Sequence, residues 1–541
     1  MHVSRRGFLQ GCCTAVAAMS GARLGYAAIA APGEPGYNEE VLVVVFLRGG
    51  MDGLSLVAPI DGPDRSHYES YRPTIQLATT GENKALPLDE QWGLNYRAAA
   101  LHPIYQDGKL AFIQAIGMAN GTRSHFDAQE FMELGTPGMK TARDGWLTRH
   151  LKSADNIPPE ILMPSLSVSS LQPTSLRGDR DTLTFDGLNS FGINSGHWFH
   201  VDSQKTSLRR LFDLESDRIH DAGTQALNAA DIIGTYLDGD YTPSNGATYP
   251  GNNFGRQLQN IAQMIKIQVG LRVVTLDLGG WDTHEEQGSS GDGYIGGNLD
   301  TLCSGLAAFY QDLNGEGSAD FMAKTTVVVQ SEFGRRIREN ASRGTDHGTG
   351  NLMMVMGGNV LGGIHGEWPG LHPDQLYDNA DLAPTNDYRR ILSEIVIRRL
   401  ENPRLGQIFP GYNDYTPMGV VTGEDLPPDF NGAAPPDEGS PFKNVTSLGD
   451  GWKSSPWFGA FRDDRAPWIY HREHGFIYVK GIDESNLWLY QPSLGWVHTG
   501  QGIYPHLYSK NRESWIFHEA DSRDPRYFYD FNLQEWFSVT S

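Results

Sequence analysis

Cysteine is nearly absent from this 541-residue chain: there are three, and Cys12 and Cys13 lie in a stretch that reads as a removable leader. Only Cys303 would remain after processing, which excludes an internal disulfide. Cys303 falls on the apolar side of a helical pattern and reads as a buried structural thiol. Basic charge is also short. Lys and Arg total 43 against 65 Asp and Glu, a formal charge of −22. That balance argues against nucleic acid as a partner, since phosphate backbones demand basic surfaces. It also fits poorly with adsorption to anionic lipid. Past the leader no apolar run reaches the roughly eighteen residues of a membrane span. No CxxCH haem site, cluster-type cysteine set or strand-following GxGxxG occurs, so Tat export is the one feature that suggests a redox protein.

What is present begins with the N-terminus. Residues 1–30 place Ser4-Arg5-Arg6-Gly7-Phe8-Leu9 before a mildly apolar run and Ala28-Ile29-Ala30. This is the layout of a twin-arginine (Tat) signal peptide, so export to the periplasm or beyond is expected. Removing it deletes Arg5, Arg6 and Arg23 and no acids, which deepens the charge to −25. Residues 31–410 alternate short apolar strands with helical segments. The strand candidates 41–47, 110–117, 271–278, 325–330 and 351–358 are almost free of charge. Such runs are typical of strands covered on both faces, hence an α/β fold with a mainly parallel sheet sandwiched between helices. A helical insertion is expected near 200–240, and the acidic Pro/Gly-rich 411–445 reads as an exposed linker.

Residues 446–541 form an aromatic-dense segment whose loose repeats begin at Trp468, Trp488 and Trp515. They read as a small antiparallel β domain of stacked hairpins. Exposed rings there would stack on sugar faces, giving an envelope glycan contact; the plainer reading makes most of them core.

In parallel sheets, ligand sites gather at the carboxyl ends of the strands. After 41–47 come Arg48 and Asp52; after 110–117 come Arg123, Ser124, His125 and Asp127 at a helix start. After 271–278 come Asp282 and His284; after 325–330 come Glu332, Arg335 and Arg336; and Asp346 and His347 precede 351–358. Singly, an Asp-x-His pair is commonly a hydrogen-bonded loop and Ser124 an N-cap. Together, carboxylates and imidazoles on separate loops suit a divalent Zn, Mn or Mg ion better than Ca.

The motifs "FLRGGMDGLS", "RSHFDAQEFMELG", "GWLTRHL", "DLGGWDTH", "SEFGRR" and "GTDHGTGNLMMVMGGNV" resemble the Tat-exported DUF1501 family, placed in the alkaline-phosphatase-like superfamily with sulfatases and phosphoglycerate mutases. The resemblance implies that Asp282, His284 and His347 hold a metal, with Asp52 and Glu332 as further ligands and Ser124 as a helix-start nucleophile. Arg48, Arg123, Arg335 or Arg336 would clamp ester oxygens, with His125, Asp127 and Asp346 as other candidates. Ser331-Glu332 stands where the superfamily has Asp-His, and Asp52 comes late after its strand, which favours one ion over two. No serine or cysteine has the (C/S)-x-P-x-R context of a formylglycine sulfatase. The expected activity is hydrolysis or transfer on a phosphate or sulfate ester, with a polysaccharide as one form of substrate. The alternative is a non-catalytic envelope or surface glycan-binding protein on a degenerate hydrolase scaffold.

Overall fold

The computed structural model describes residues 39–157, 161, 163–179, 181–184, 201–212, 223, 227, 241–268, 270–432, 442, 445–449, 452–465, 468–481, 484–491, 493–523 and 525–540. The leader, most of the expected 200–240 insertion and part of the expected linker lie outside these residues. Of the insertion, the helix Val201–Phe212 is described. The chain divides into two units, Met1–Ala434 and Pro435–Ser541.

The first unit is built on a nine-stranded sheet. Its strands are β1 (Val41–Leu47), β2 (Leu110–Gly117), β3 (Ser165–Val168), β4 (Leu183–Thr184), β5 (Val273–Leu278), β6 (Thr325–Ser331), β7 (Asn351–Gly357), β8 (Gly363–His365) and β9 (Asn386–Asp387). The order is β8-β2-β7-β6-β1-β5-β3-β4, with β9 also on β2. All pairings are parallel except the two made by β7. Because β7 is reversed, its start lies at the edge where β1, β2, β5 and β6 end. Five loops therefore meet at one edge of the sheet.

Alternate residues of β1 explain the layering. Val41, Val43, Val45 and Leu47 pack into one apolar cluster with Phe254, Leu258 and Ile261 of the helix Asn253–Lys266 and Leu299, Leu302 and Phe309 of Tyr294–Leu313. Leu42, Val44 and Phe46 pack on the other face with Trp146 and Leu147 of Trp146–Ser153 and Ile391, Leu392 and Ile395 of Tyr388–Arg398. Both faces are covered, so every β1 side chain is buried and the strand needs no polar alternation. Cys303 lies in the first cluster, where burial pushes its thiol up.

Residues 411–432 depart from the expected exposed linker. Tyr412, Tyr415, Val420 and Val421 are buried in the second cluster. The carboxylate of Glu394 accepts from the backbone N–H groups of Met418, Gly419, Val420 and Val421, which fastens this irregular segment to its helix. One buried acid thus satisfies four amides that a loop would otherwise leave open.

The second unit is an eleven-stranded antiparallel meander in strict sequence order, running from Thr446–Gly449 to Glu535–Val539. Its core is Ile469, Ile477, Val479, Leu487, Leu489, Val497, Leu507 and Ile516 with four phenylalanines, Phe442, Phe458, Phe461 and Phe528. Phe476, Trp515, Tyr527 and Trp536 are exposed. The aromatic-core expectation therefore holds for those four phenylalanines, while Phe476 and these Trp and Tyr rings stand outside, the latter with their N–H and O–H groups open to water.

Candidate functional site

Three histidines from three loops turn toward one carboxylate oxygen. Asp282 Oδ1 lies 3.0 Å from His284 Nε2, 3.2 Å from His347 Nε2 and 3.4 Å from His125 Nε2. His284 Nε2 and His347 Nε2 are 2.9 Å apart. One ligand atom each from His125, Asp282 and His347 falls within 4.8 Å of the others, a grouping that could hold a metal ion.

Each ring is held from behind at Nδ1. His347 Nδ1 stands 2.8 Å from the carbonyl of Arg123, which only accepts, so this nitrogen carries the proton and Nε2 its lone pair. His125 Nδ1 stands 2.7 Å from Glu332 Oε1, and His284 Nδ1 3.2 Å from Asp346 Oδ1. Both acids are held ionised. Burial pushes Glu332 up, but hydrogen bonds from His125 and Gln129 lower it further; burial likewise opposes Asp346, which Asn340 and His284 pull down. The same Glu332 partnership raises His125, whereas burial lowers His347. Asp282 is held down at about 2: burial raises it, and the Arg335 guanidinium, donating to it at 2.6 Å, overcomes that.

Imidazole lone pairs therefore face the carboxylate that Arg335 holds. His125 Nε2 is buried and makes no hydrogen bond. Ligands about 2.1 Å from one ion stand roughly 3–3.4 Å apart, the spacing Asp282 Oδ1 keeps from all three imidazoles. The donor set fits a divalent ion, and a carboxylate or carbonyl behind each imidazole is the usual outer support of such a site. Asp282 and His284 side chains are 50% and 40% exposed, so the group opens to solvent on their side.

The local sequence explains the placement. His125 opens the helix His125–Leu134, capped by Ser124 Oγ, which accepts from Asp127 N at 3.5 Å. One turn on, Gln129 donates to the same Glu332 oxygen at 2.9 Å. Gly49 also donates its N–H to that oxygen, and with φ +122° its missing Cβ would stand 2.5 Å from Asp282 N. Only glycine lets the β1 loop come so close to the Asp282 loop. Phe333 backs the rings of His125 and His347 at centroid distances of 4.8 and 4.9 Å.

Several candidates sit elsewhere. Asp52, expected as a ligand, is buried against Arg72 through contacts of 2.6 and 2.9 Å, because a full guanidinium beside it outcompetes any distant site. Glu332, also expected as a ligand, instead orients His125. Arg335 is buried and donates to Asp282 and to the carbonyls of Gly49, Gly50, Trp281 and Thr345, which leaves little of it for a substrate. Arg48 is paired with Glu133 and Asp277, and Asp127 with Lys140. Sequence reasoning missed Gln129, Asn340 and Phe333; for Gln129 the i, i+4 spacing from His125 was the available signal.

No curated protein matches the sequence. Solved structures that this chain matches include a 2-O GAG sulfatase, 7% identical with a TM-score of 0.29 over 93% of this chain and 85% of that one. The lipoteichoic acid synthase LtaP from Listeria monocytogenes is 8% identical, with a TM-score of 0.28 over 86% of each chain. A protein in the alkaline phosphatase superfamily from Vibrio parahaemolyticus is 8% identical, with a TM-score of 0.25 over 93% of this chain and 83% of that one. The functional reading therefore rests on the site's own geometry. Within that geometry, Asp282, His284, Glu332, Asp346 and His347 all fall in residues 199–396, the span that matches the family described as "Protein of unknown function (DUF1501)".

Proposed function

We propose that this protein is an exported, metal-dependent hydrolase or transferase acting on a phosphate or sulfate ester. The observation that carries the reading is the set of three imidazoles, each tied at Nδ1 and each turning Nε2 toward Asp282. His125, His284, His347 and Asp282 would hold the ion, Zn, Mn or Mg, one rather than two. An ion held there would polarise an ester oxygen as a Lewis acid. Arg335 keeps Asp282 ionised, and Glu332 and Asp346 keep His125 and His284 aimed. Ser124 is the proposed nucleophile, at the N-cap of a ten-residue helix whose free amides favour an anionic group.

Metal analysis of the purified protein tests the site. Wild type is expected to hold about one equivalent of a divalent ion, and His284→Ala or His347→Ala to lose at least about a hundredfold in affinity. A wild type without stoichiometric metal would sink the catalytic reading. Ser124→Ala is expected to keep the ion and lose turnover by about a thousandfold or more; unchanged turnover would give the attack to another group. Export rests on Arg5-Arg6, and replacing both with lysine is expected to leave the protein in the cytoplasmic fraction.

The exposed Phe476, Trp515, Tyr527 and Trp536 favour a second reading, glycan binding by residues 446–541 without turnover. Glycan retention that survives His284→Ala, disappears on deletion of 446–541 and accompanies no ester turnover would establish it.

A further inference from the structure

One face of the second unit carries two rows of aromatic side chains. Along its strands alternate residues enter the core, among them Leu487, Leu489, Val497, Leu507, Ile516 and Phe528. The residues between them lie on the other face and line up from strand to strand. Trp488 pairs with His498, His498 with Tyr508 and Tyr508 with Trp515, a row in unbroken register. A second row runs from His506 through Phe517 and Tyr529 to Trp536. Together the rows extend from the strand Leu487–Gln491 to the strand Glu535–Val539, a width of about 24 Å at the usual strand spacing.

The rings hold one another. Centroids are 5.2 Å apart for Trp488 and His498, 5.7 Å for Tyr508 and Trp515, and 5.4 Å for Tyr529 and Trp536. Phe531 joins the rows: its N–H donates to the Trp515 carbonyl, and its ring lies 5.8 Å from His506 and 5.3 Å from Tyr529. Trp515, Phe531 and Trp536 are still 42%, 45% and 53% exposed. A contiguous exposed apolar face marks a binding surface. Rings already fixed by their neighbours lose little freedom when a ligand covers them.

The make-up of the rows narrows the occupant. They contain no Leu, Ile or Val, the side chains that fill this unit's own core and that a second copy or a lipid would require. They also contain no carboxylate, Lys or Arg, in a chain of net charge −22. A cationic partner finds no acid on the rows, and a polyanion finds no cation there and a negative chain around it. An uncharged ligand with C–H faces and hydroxyl edges matches rings that carry Trp N–H and Tyr O–H groups. Rows in register across the strands call for an extended chain, which equatorial linkages between sugars provide and axial ones do not.

Resting on glycan binding by residues 446–541, we infer that the two rows bind an extended, uncharged, β-1,4-linked polysaccharide laid across the strands. Successive sugars cover successive rings.

Calorimetric titration of the full chain with β-1,4-linked di- to hexasaccharides of glucose, mannose, xylose and N-acetylglucosamine tests the inference. At least one series is expected to bind, gaining about tenfold or more from disaccharide to hexasaccharide as each added sugar acts from a tethered chain. Trp515→Ala and Trp536→Ala should keep the melting temperature and each weaken the hexasaccharide about two- to tenfold, the worth of one aromatic contact. Leu448→Ala, exposed but off the rows, should leave binding unchanged. Maltohexaose, bent by its axial linkages, and the β-1,4-linked mannuronate hexamer, of matching shape but anionic, should bind at least about tenfold more weakly. Equal or tighter binding of either one overturns the inference and leaves glycan binding standing. So does an affinity that does not rise with length, or one that neither tryptophan variant alters. If none of these saccharides binds, the inference and the glycan reading both fall. A dimer of the full chain that Trp515→Ala dissociates would then make the rows an interface between copies.

Discussion

Replacing Asp52 with alanine is expected to destabilise the first unit by about 3–5 kcal/mol, the cost typical of breaking one side of a buried ion pair. Arg72 Nη1 and Nη2 reach the two Asp52 oxygens at 2.6 and 2.9 Å, and the side chains are 0% and 2% exposed. Ser55 Oγ and Gln287 Nε2 also donate to Asp52, at 2.6 and 2.7 Å. Without the carboxylate, Arg72 keeps only the carbonyls of Ile337 and Arg336, which satisfy donors but not a charge. Burial pushes the Asp52 carboxyl up, yet Arg72 and the neighbouring donors hold it below its ordinary value. A depressed acid contributes stability above its unfolded value near pH 4 and loses it as pH falls through the folded value. Urea unfolding of Asp52→Ala against wild type measures the loss, and Asp52→Asn is expected to fall between them. Metal content of the folded variant should match wild type, since the Asp52 carboxylate is taken up by Arg72, Ser55 and Gln287. A variant as stable as wild type, or one that loses its ion while folded, would contradict the structural role.

The contrast between Asp52 and Asp282 shows how far sequence carries. Both follow a largely apolar strand by a short glycine-containing loop, and nothing local separates them. What separates them is Arg72, twenty residues beyond Asp52 and brought back by the helix Pro63–Tyr71, against Arg335, which holds Asp282 but leaves its oxygen facing three histidines. The strands themselves were legible because unbroken apolar runs mean burial on both faces. Their convergence was legible because such sheets gather sites at one edge, and the reversed β7 delivers His347 there by its start. Glu332 was not: standing after its strand it reads as a further ligand, whereas the structure turns that acid onto His125. His125 gained its place through a helix on another strand end, a long-range pairing that no spacing reports.

Lowering the pH through about 6 is expected to unfold the second unit before the first. His471, His474 and His518 are 1%, 3% and 1% exposed, with the tilted His474 ring centred 4.9 Å from that of His471 and 4.2 Å from that of His518. Tyr504 Oη lies 3.0 Å from His474 Nε2 and 3.3 Å from His518 Nδ1, and Ser522 Oγ 3.4 Å from His518 Nε2. Arg526 donates to the carbonyl of His474, so a cation already stands beside the rings, while Glu473 approaches His518 at 3.8 Å, too long to compensate fully. His474 Nδ1 is buried without a hydrogen bond. Burial pushes His471 and His518 down to about 4 and His474 well below 6.5. Unfolding therefore takes up protons below about pH 6.5, and the stability held by neutral rings is present above that value and lost below it. Three protons at about 1.4 kcal/mol per pH unit each give a slope of about 4 kcal/mol per unit, which within two units rivals the whole stability of a typical domain. Seven of the twelve tryptophans lie in 446–541, so tryptophan emission of the full chain reports chiefly on this unit. Its acid transition should fall between about pH 6 and 4, and His474→Phe, which keeps ring volume and removes one proton site, should shift it downward and make it shallower. An emission spectrum unchanged down to pH 4, or a transition indifferent to His474→Phe, would show that the buried histidines do not set the acid limit.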